Sequence, residues 1–180
     1  MIEKDFIIEA KRLVEQASND KNFDLFCTTR DIFDARYLAY GARTKRYSES
    51  VAISEIGTNS FDHNFIFDEK HVRGAYFNPY YSDNCVILAD YGKGIFNSLK
   101  NVVDINDCVE ALKVAFTEKI SGRAPEQRGY GLKLVFNTVK SNGWDLYYQS
   151  GNGCCIIENG IAKFQETSDF ILGTFAILKF

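Results

Sequence analysis

No run of lysine and arginine in this sequence is dense enough to track a phosphate backbone. With 21 Lys+Arg against 24 Asp+Glu the net charge is −3, so nucleic acid is not the expected partner. No segment collects the roughly 18 apolar residues that a membrane-spanning helix needs. The opening M-I-E-K-D-F-I-I-E-A-K-R is amphipathic and mixed in charge rather than leader-like. A cytoplasmic protein with no membrane partner is the expectation. The five cysteines, Cys27, Cys85, Cys108, Cys154 and Cys155, contain no C-x-x-C pair, which argues against a zinc site. Neighbours on a strand point to opposite faces, so Cys154 and Cys155 read as small buried hydrophobes. Two phosphate loops are also missing: there is no G-x-x-x-x-G-K-[ST] and no six-residue dinucleotide fingerprint. Internal repeats and low-complexity linkers are absent as well.

What is present suits a single domain. A chain of 180 residues, 46% hydrophobic and 25% charged, is long enough for one ordinary core. Helical spacing of Phe6, Ile7, Ala10, Leu13, Val14 and Ala17 predicts a helix over 3–17, an extension of residues 1–20 that fits either a sheet edge or a dimer contact. A short strand follows at 23–28. Asp31 is the expected cap of a second helix through Tyr40, with Ile32, Ala35, Leu38 and Ala39 inward. A third helix begins at Ser48 or Ser50. The texture then changes: two strands joined by a turn at 82–84, of which 85–89 is a continuous apolar run that stops at Asp90. Tyr76, Phe77, Tyr80 and Tyr81 suit either core or an interface, with core the favoured reading. A helix over 131–141, with Leu132, Leu134, Val135 and Val139 apolar, closes at Asn142-Gly143. Three or four strands complete the chain, with turns at 151–153 and 159–160. The sum is α+β, a two-layer sandwich of a mixed, mostly antiparallel sheet with helices on one face.

Three short stretches carry chemistry. In S-E-I-G-T-N-S-F-D-H-N, residues 54–64, Glu55, Asn59, Asp62 and His63 fall within roughly 100° on a helical wheel. A polar stripe on a helix is ordinarily its wetted side. Here the opposite stripe, Ile53, Ile56 and Ser60, is thin, which predicts a helix packed on more than one side and a polar face turned into a cleft. Asp90-Tyr-Gly-Lys-Gly94-Ile95 places a carboxylate at the end of the buried strand, followed by glycines that let the chain pass close to a flat ligand. Arg128-Gly129-Tyr130-Gly131-Leu132 opens a helix whose bare N–H groups and dipole suit an anion, phosphate above all. Each motif alone is also ordinary loop or cap sequence.

Read in order, E-x-x-x-N-x-x-x-H, D-x-G-x-G-I, G-x-G-L and a late Gly173-Thr174 resemble the ATP-binding domain of the GHKL superfamily, over roughly residues 30–180. That superfamily includes DNA gyrase, Hsp90 chaperones, sensor histidine kinases and MutL proteins. The resemblance implies a Bergerat-type fold and Mg-ATP as ligand. Asn59 would hold Mg²⁺, Glu55 would be the base or water-orienting carboxylate, and Asp90 would receive the adenine amino group with Thr174 near the ring. Gly92 and Gly94 would let the chain pass close to the base and Gly129 and Gly131 would cradle phosphates, with Asp62, His63, Ile95, Arg128, Tyr130 and Leu132 also among the nucleotide-binding residues. Residues 97–127 would form a lid, whose A-F-T-E-K stretch offers Lys119 to a phosphate.

The chain has two histidines, His63 and His71, neither upstream of the Glu55 helix, and so lacks the phosphoacceptor of a self-contained sensor kinase. The stand-alone anti-sigma-factor serine kinases, which act on small STAS-type partners, are the nearest type. Gly57 and Phe61 depart from the small-residue pattern around the asparagine. Three functions stay open: a serine protein kinase, an ATPase driven by lid motion or homodimerisation, and a nucleotide-gated binding module.

Overall fold

All six residues of Cys85–Asp90 are buried, as a continuous apolar run predicts for a strand covered on both faces. The computed structural model of the chain describes residues 1–62, 71–82, 84–118 and 130–180, apart from the side chain of Tyr80. His63, Lys119, Arg128 and Gly129 lie outside these residues. In chain order the elements are α1 (Lys4–Asn19), β1 (Phe26–Cys27), α2 (Arg30–Thr44), α3 (Tyr47–Asp62), β2 (Ala75–Ser82), β3 (Cys85–Asp90), α4 (Gly94–Leu99), α5 (Cys108–Thr117), α6 (Gly131–Asn142), β4 (Asp145–Glu158) and β5 (Ile161–Lys179). The sheet order is β1-β2-β3-β5-β4, and each of these pairings is antiparallel. The buried run is therefore the middle strand.

The period of two sorts the sheet's side chains into two cores. Phe77, Val86, Leu88 and Cys155 face the layer formed by α2 to α6. Tyr76, Ile87, Ala89 and Cys154 face the other way. The adjacent cysteines thus occupy opposite faces, both fully buried. Of the aromatic run, Tyr76 and Phe77 are core, while Tyr81 is half-buried against Phe6.

Five helices form the expected single layer, and α1 is the exception. Its Ala10, Val14 and Ala17 pack on the second sheet face, so it is neither an edge cover nor a free extension. An antiparallel sheet with large apolar side chains on both faces needs a cover on each. A polar clamp adds to the packing. Lys11 Nζ donates to Gln149 Oε1 and, at 2.8 Å, to Asp169 Oδ2. Fully buried Gln149 donates in turn to the carbonyls of Gly151 and Asp169 and to Thr167. Burial pushes the Asp169 carboxyl up, but hydrogen bonding and charge from Lys11 outweigh it and hold the group below its ordinary 3.8. A carboxylate depressed in the folded state stabilises above its unfolded pKa and loses that contribution as pH falls through the folded one. Lys11→Met is expected to lower stability by about 1 kcal/mol at neutral pH, the Asp169 share being reduced by solvent screening of a side chain 52% exposed, with the gap narrowing in urea titrations run at progressively lower pH below about 4. A gap independent of pH would remove Asp169 from the clamp.

Two long strands replace the three or four expected at the end of the chain. Asn159 and Gly160, with φ of 50° and 73°, make the tight hairpin turn predicted there. Gly151 to Gly153 do not turn. They form irregularities in one continuous strand, because Gly153 presses against the Cys108 carbonyl of α5, where a Cβ would lie 2.6 Å away. The strand bends sharply as a result: Met1 N bonds Asp145 while Ile2 N bonds Glu158 Oε1, residues that would stand roughly 40 Å apart on a straight strand.

The second helix presents the face opposite to expectation. Thr29, not Asp31, caps it by accepting from Ile32 N, and Phe33, Tyr40 and Gly41 are buried. Ile32, Ala35, Leu38 and Ala39 are exposed. Both faces of α2 are apolar, so its period alone chooses neither.

Candidate functional site

The packing of α3 on two sides, expected from its thin apolar stripe, is present. On one side Gly57 lies under the Phe33 ring of α2, where a Cβ would fall 2.0 Å from Cζ. Gly57 is thus the point where two helices meet, which accounts for the departure noted in the sequence. On the other side, a Cβ on Gly131 would lie 2.6 Å from Glu55 Oε2, so the first residue of α6 abuts that carboxylate. A negative group beside a helix N-terminus is favoured by the dipole.

The buried end of the site is built around Asp90, which is 3% exposed. Its Oδ1 accepts the Gly92 N–H at 2.8 Å. Its Oδ2 accepts Ser60 Oγ from α3 at 3.0 Å and Thr174 Oγ1 from β5. Asp90 and Thr174 are cross-strand partners. The Tyr148 phenol nearby is pushed well above the usual range, by burial first and by the Asp90 charge second. Next to this cluster, Gly94 adopts φ +75° to begin α4, and the Ile95 N–H donates to Ser150 Oγ at 2.9 Å. Ser150 donates to the Gly173 carbonyl, tying the glycine turn after β3 to the glycine in β5.

The structure therefore brings together Glu55, Asp90, Gly92, Gly94, Ile95, Gly131 and Thr174. Asn59 lies on α3, half-buried, one turn past Glu55 and beside Ser60. From the Glu55 level to the Ser60 level is five residues, or about 7.5 Å along the axis. Asp62 departs from the group: its Oδ1 accepts Arg30 Nη1 of α2 at 3.0 Å. Leu132 is a core residue at 7% exposure, while Tyr130 is 49% exposed at the head of α6. The proposed lid is also cut back. Leu99, Ala111, Leu112 and Phe116 are buried, so α4 and α5 belong to the core layer, because their apolar faces cover the bent half of β4. Lys119 and the rest of the lid lie outside the described residues, as do His63, Arg128 and Gly129.

Ser60 and Ser150 are the site residues that motif reading misses. Ser60 sat on the thin inward stripe of α3, and a buried serine in a helix needs a hydrogen-bond partner. That requirement was the available signal. Among the described residues no helix is long and apolar enough to cross a membrane. Neither the models of known protein families nor the curated proteins include a match to this chain.

Proposed function

We propose that the chain binds Mg-ATP in the manner of the GHKL domains and acts on a protein partner, as a serine protein kinase or an ATPase. The observation that carries this reading is the meeting of four chain-distant motifs along one helix. The strand-end carboxylate Asp90 and Gly173-Thr174 stand at the Ser60 end of α3, and Gly131 stands at its Glu55 end. Such an arrangement, with a buried charged acceptor at one end and a helix N-terminus without a side-chain cap at the other, suits a ligand that is flat and amino-bearing at one end and anionic at the other.

Asp90 accepts the adenine amino group, and Gly92 and Gly94 keep the chain close to the ring. The first N–H groups of α6 take phosphate oxygens, and Asn59 holds the metal. Mg²⁺ keeps several waters and needs few protein ligands, which fits one half-buried amide; when bound it neutralises phosphate charge. Glu55 orients or deprotonates the acceptor, whether a serine hydroxyl or water.

Melting of the full chain with Mg-ATP, Mg-ADP and Mg-GTP tests the ligand. A ligand of the native state at a hundred times its Kd stabilises by about 2.7 kcal/mol, so the two adenine nucleotides are expected to raise Tm and GTP is not. The reading fails if none of the three moves it. Transfer of labelled phosphate to co-purifying proteins, with Glu55→Ala as the inactive but ATP-binding control, separates kinase from ATPase.

A further inference from the structure

We propose that Ser150 is a positioning residue whose hydroxyl holds the glycine turn at 92–95 in its ligand-receiving shape before any ligand arrives. That the ligand is Mg-ATP rests on the function proposed above. In the register of the sheet Ser150 pairs with Thr174, and Thr174 with Asp90, so the three form one row across β4, β5 and β3. The neighbouring row on the same face, Tyr148, Ala176 and Leu88, belongs to the helix-side core. That core therefore ends on a row of three polar side chains, all of them buried, with Ser150 at 2% exposure. Buried polar groups need partners. Two members of the row find them in the same turn: Asp90 accepts the Gly92 N–H near its start at 2.8 Å, and Ser150 accepts the Ile95 N–H at its end at 2.9 Å.

The far grip is the one the turn cannot supply for itself. α4 has six residues, and its N-cap Lys93 makes no side-chain bond, so the helix is too short to fix its own first turn and its early N–H groups need an outside acceptor. Ser150 supplies that acceptor from another strand. It donates in turn to the Gly173 carbonyl at 2.9 Å, which directs a lone pair of the same oxygen at Ile95. Gly94 lies close against the hydroxyl: a Cβ there would stand 2.8 Å from Ser150 Oγ, and its φ of +75° favours glycine. The two glycines are thus restrained at both ends. Without the hydroxyl, the Ile95 N–H and the Gly173 carbonyl lose their partner and the turn is gripped at Gly92 alone. A turn that holds the receiving shape for about one part in ten of the time binds its ligand about tenfold more weakly. The contribution of Ser150 is pre-organisation.

Amide exchange and calorimetric titration with Mg-ATP, on the full chain as wild type, Ser150→Ala, Ser150→Cys and Ser150→Thr, test this. In nucleotide-free wild type the Ile95 amide is expected to be protected already, with little added by Mg-ATP. Ser150→Ala is expected to speed its exchange by about tenfold, to regain protection when Mg-ATP is added, and to raise the Mg-ATP Kd by about tenfold. Ser150→Cys keeps the volume but offers a weak acceptor, so it is expected to follow alanine. Ser150→Thr keeps the hydroxyl and is expected to follow wild type. A serine that served the fold alone would make affinity follow Tm. The proposal is overturned by an Ile95 amide that exchanges freely in nucleotide-free wild type, a measurement that needs no variant to fold. It is equally overturned by affinities that rank with Tm or side-chain volume instead of the hydroxyl. An alanine variant that binds Mg-ATP as wild type does removes Ser150 and leaves the ligand standing. Wild type that binds no Mg-ATP, while Ile95 protection still follows the hydroxyl, removes the ligand and leaves Ser150 as the holder of the turn.

Discussion

Asp90→Ala is expected to destabilise the fold by about 2–5 kcal/mol, because each buried donor left unmatched costs about 1–3 kcal/mol. The carboxylate collects a backbone N–H and two hydroxyls from three elements, β5, α3 and the turn after β3. The Ser60 and Thr174 hydroxyls can rotate toward other acceptors. The Gly92 N–H cannot rotate. Asp90→Asn separates structure from binding. Its oxygen can stay on Gly92 while its amide faces the two hydroxyls, which turn to accept, so most of the folding cost is avoided. Under the proposed function the amide now presents a donor where an adenine amino group also donates, and ATP affinity falls by about 1–3 kcal/mol. Urea unfolding and calorimetric titration of both variants read the two effects independently. Wild-type ATP affinity in a folded Asp90→Asn protein would take Asp90 out of the ligand's path and leave it a structural bridge between α3 and the sheet.

That bridging role explains why the site sits where it does. The middle strand β3 is fully covered, so its last residue is the first place where a charged group can appear without being buried among apolar neighbours. A carboxylate there needs donors, and one of the three it finds, Ser60, ties α3 to the sheet at that point. The same helix carries Glu55 to the start of α6. The Phe33 contact at Gly57 presses α3 from the α2 side.

The order of the main elements was legible because β3 and α6 each carry one unambiguous pattern. In β3 the apolar run is unbroken and ends in a charge. In α6, Leu132, Val135 and Val139 repeat at helical spacing and Gly143 ends the helix in the left-handed region. Two glycine readings show the limit. Asn159-Gly160 could only be a hairpin turn, whereas Gly151 and Gly153 are equally suited to a turn or a bend. The choice is made by α5, 43 or more positions away in the chain (Cys108 to Gly151), which no local window contains. The orientation of α2 was illegible for a different reason: Ile32 and Leu38 are as apolar as Phe33 and Tyr40. Packing on Gly41 and Gly57, where small residues admit the neighbouring helix, decides it. The cover supplied by α1 was equally hidden, since its stripe says that it packs but not on which face. At the site, Asp90 and Gly131 were legible from their glycine settings, while Ser60 and Ser150 carry no pattern of their own.

Gly173→Ala is expected to destabilise the fold by several times as much as an alanine at an open left-handed glycine. Gly173 has φ +70°, and a Cβ there would lie 2.0 Å from the Asp90 carbonyl oxygen and 2.6 Å from Oδ1. The first of these is backbone in the central strand and cannot swing aside. The left-handed conformation alone costs an alanine about 1 kcal/mol, and overpacking against rigid neighbours adds about 1–3 kcal/mol more. Gly143 supplies the control: its φ is +68°, but nothing lies within 4 Å of an added Cβ. Gly143→Ala therefore carries the conformational cost without the collision, and the difference between the two variants in urea unfolding measures the collision itself. The alternative to global loss is local. β5 can draw back from β3 at the Asp90 and Thr174 pair, breaking the Thr174 bond and the Ser150 bond to the Gly173 carbonyl while the rest of the sheet holds. Amide exchange would then show the Asp90 to Ile95 turn opening before the strands, with ATP binding lost at little cost in Tm. Equal destabilisation by Gly173→Ala and Gly143→Ala, with protected amides at 92 and 95, would mean that the strand pair has room to spare and that the close approach there is not what shapes the site.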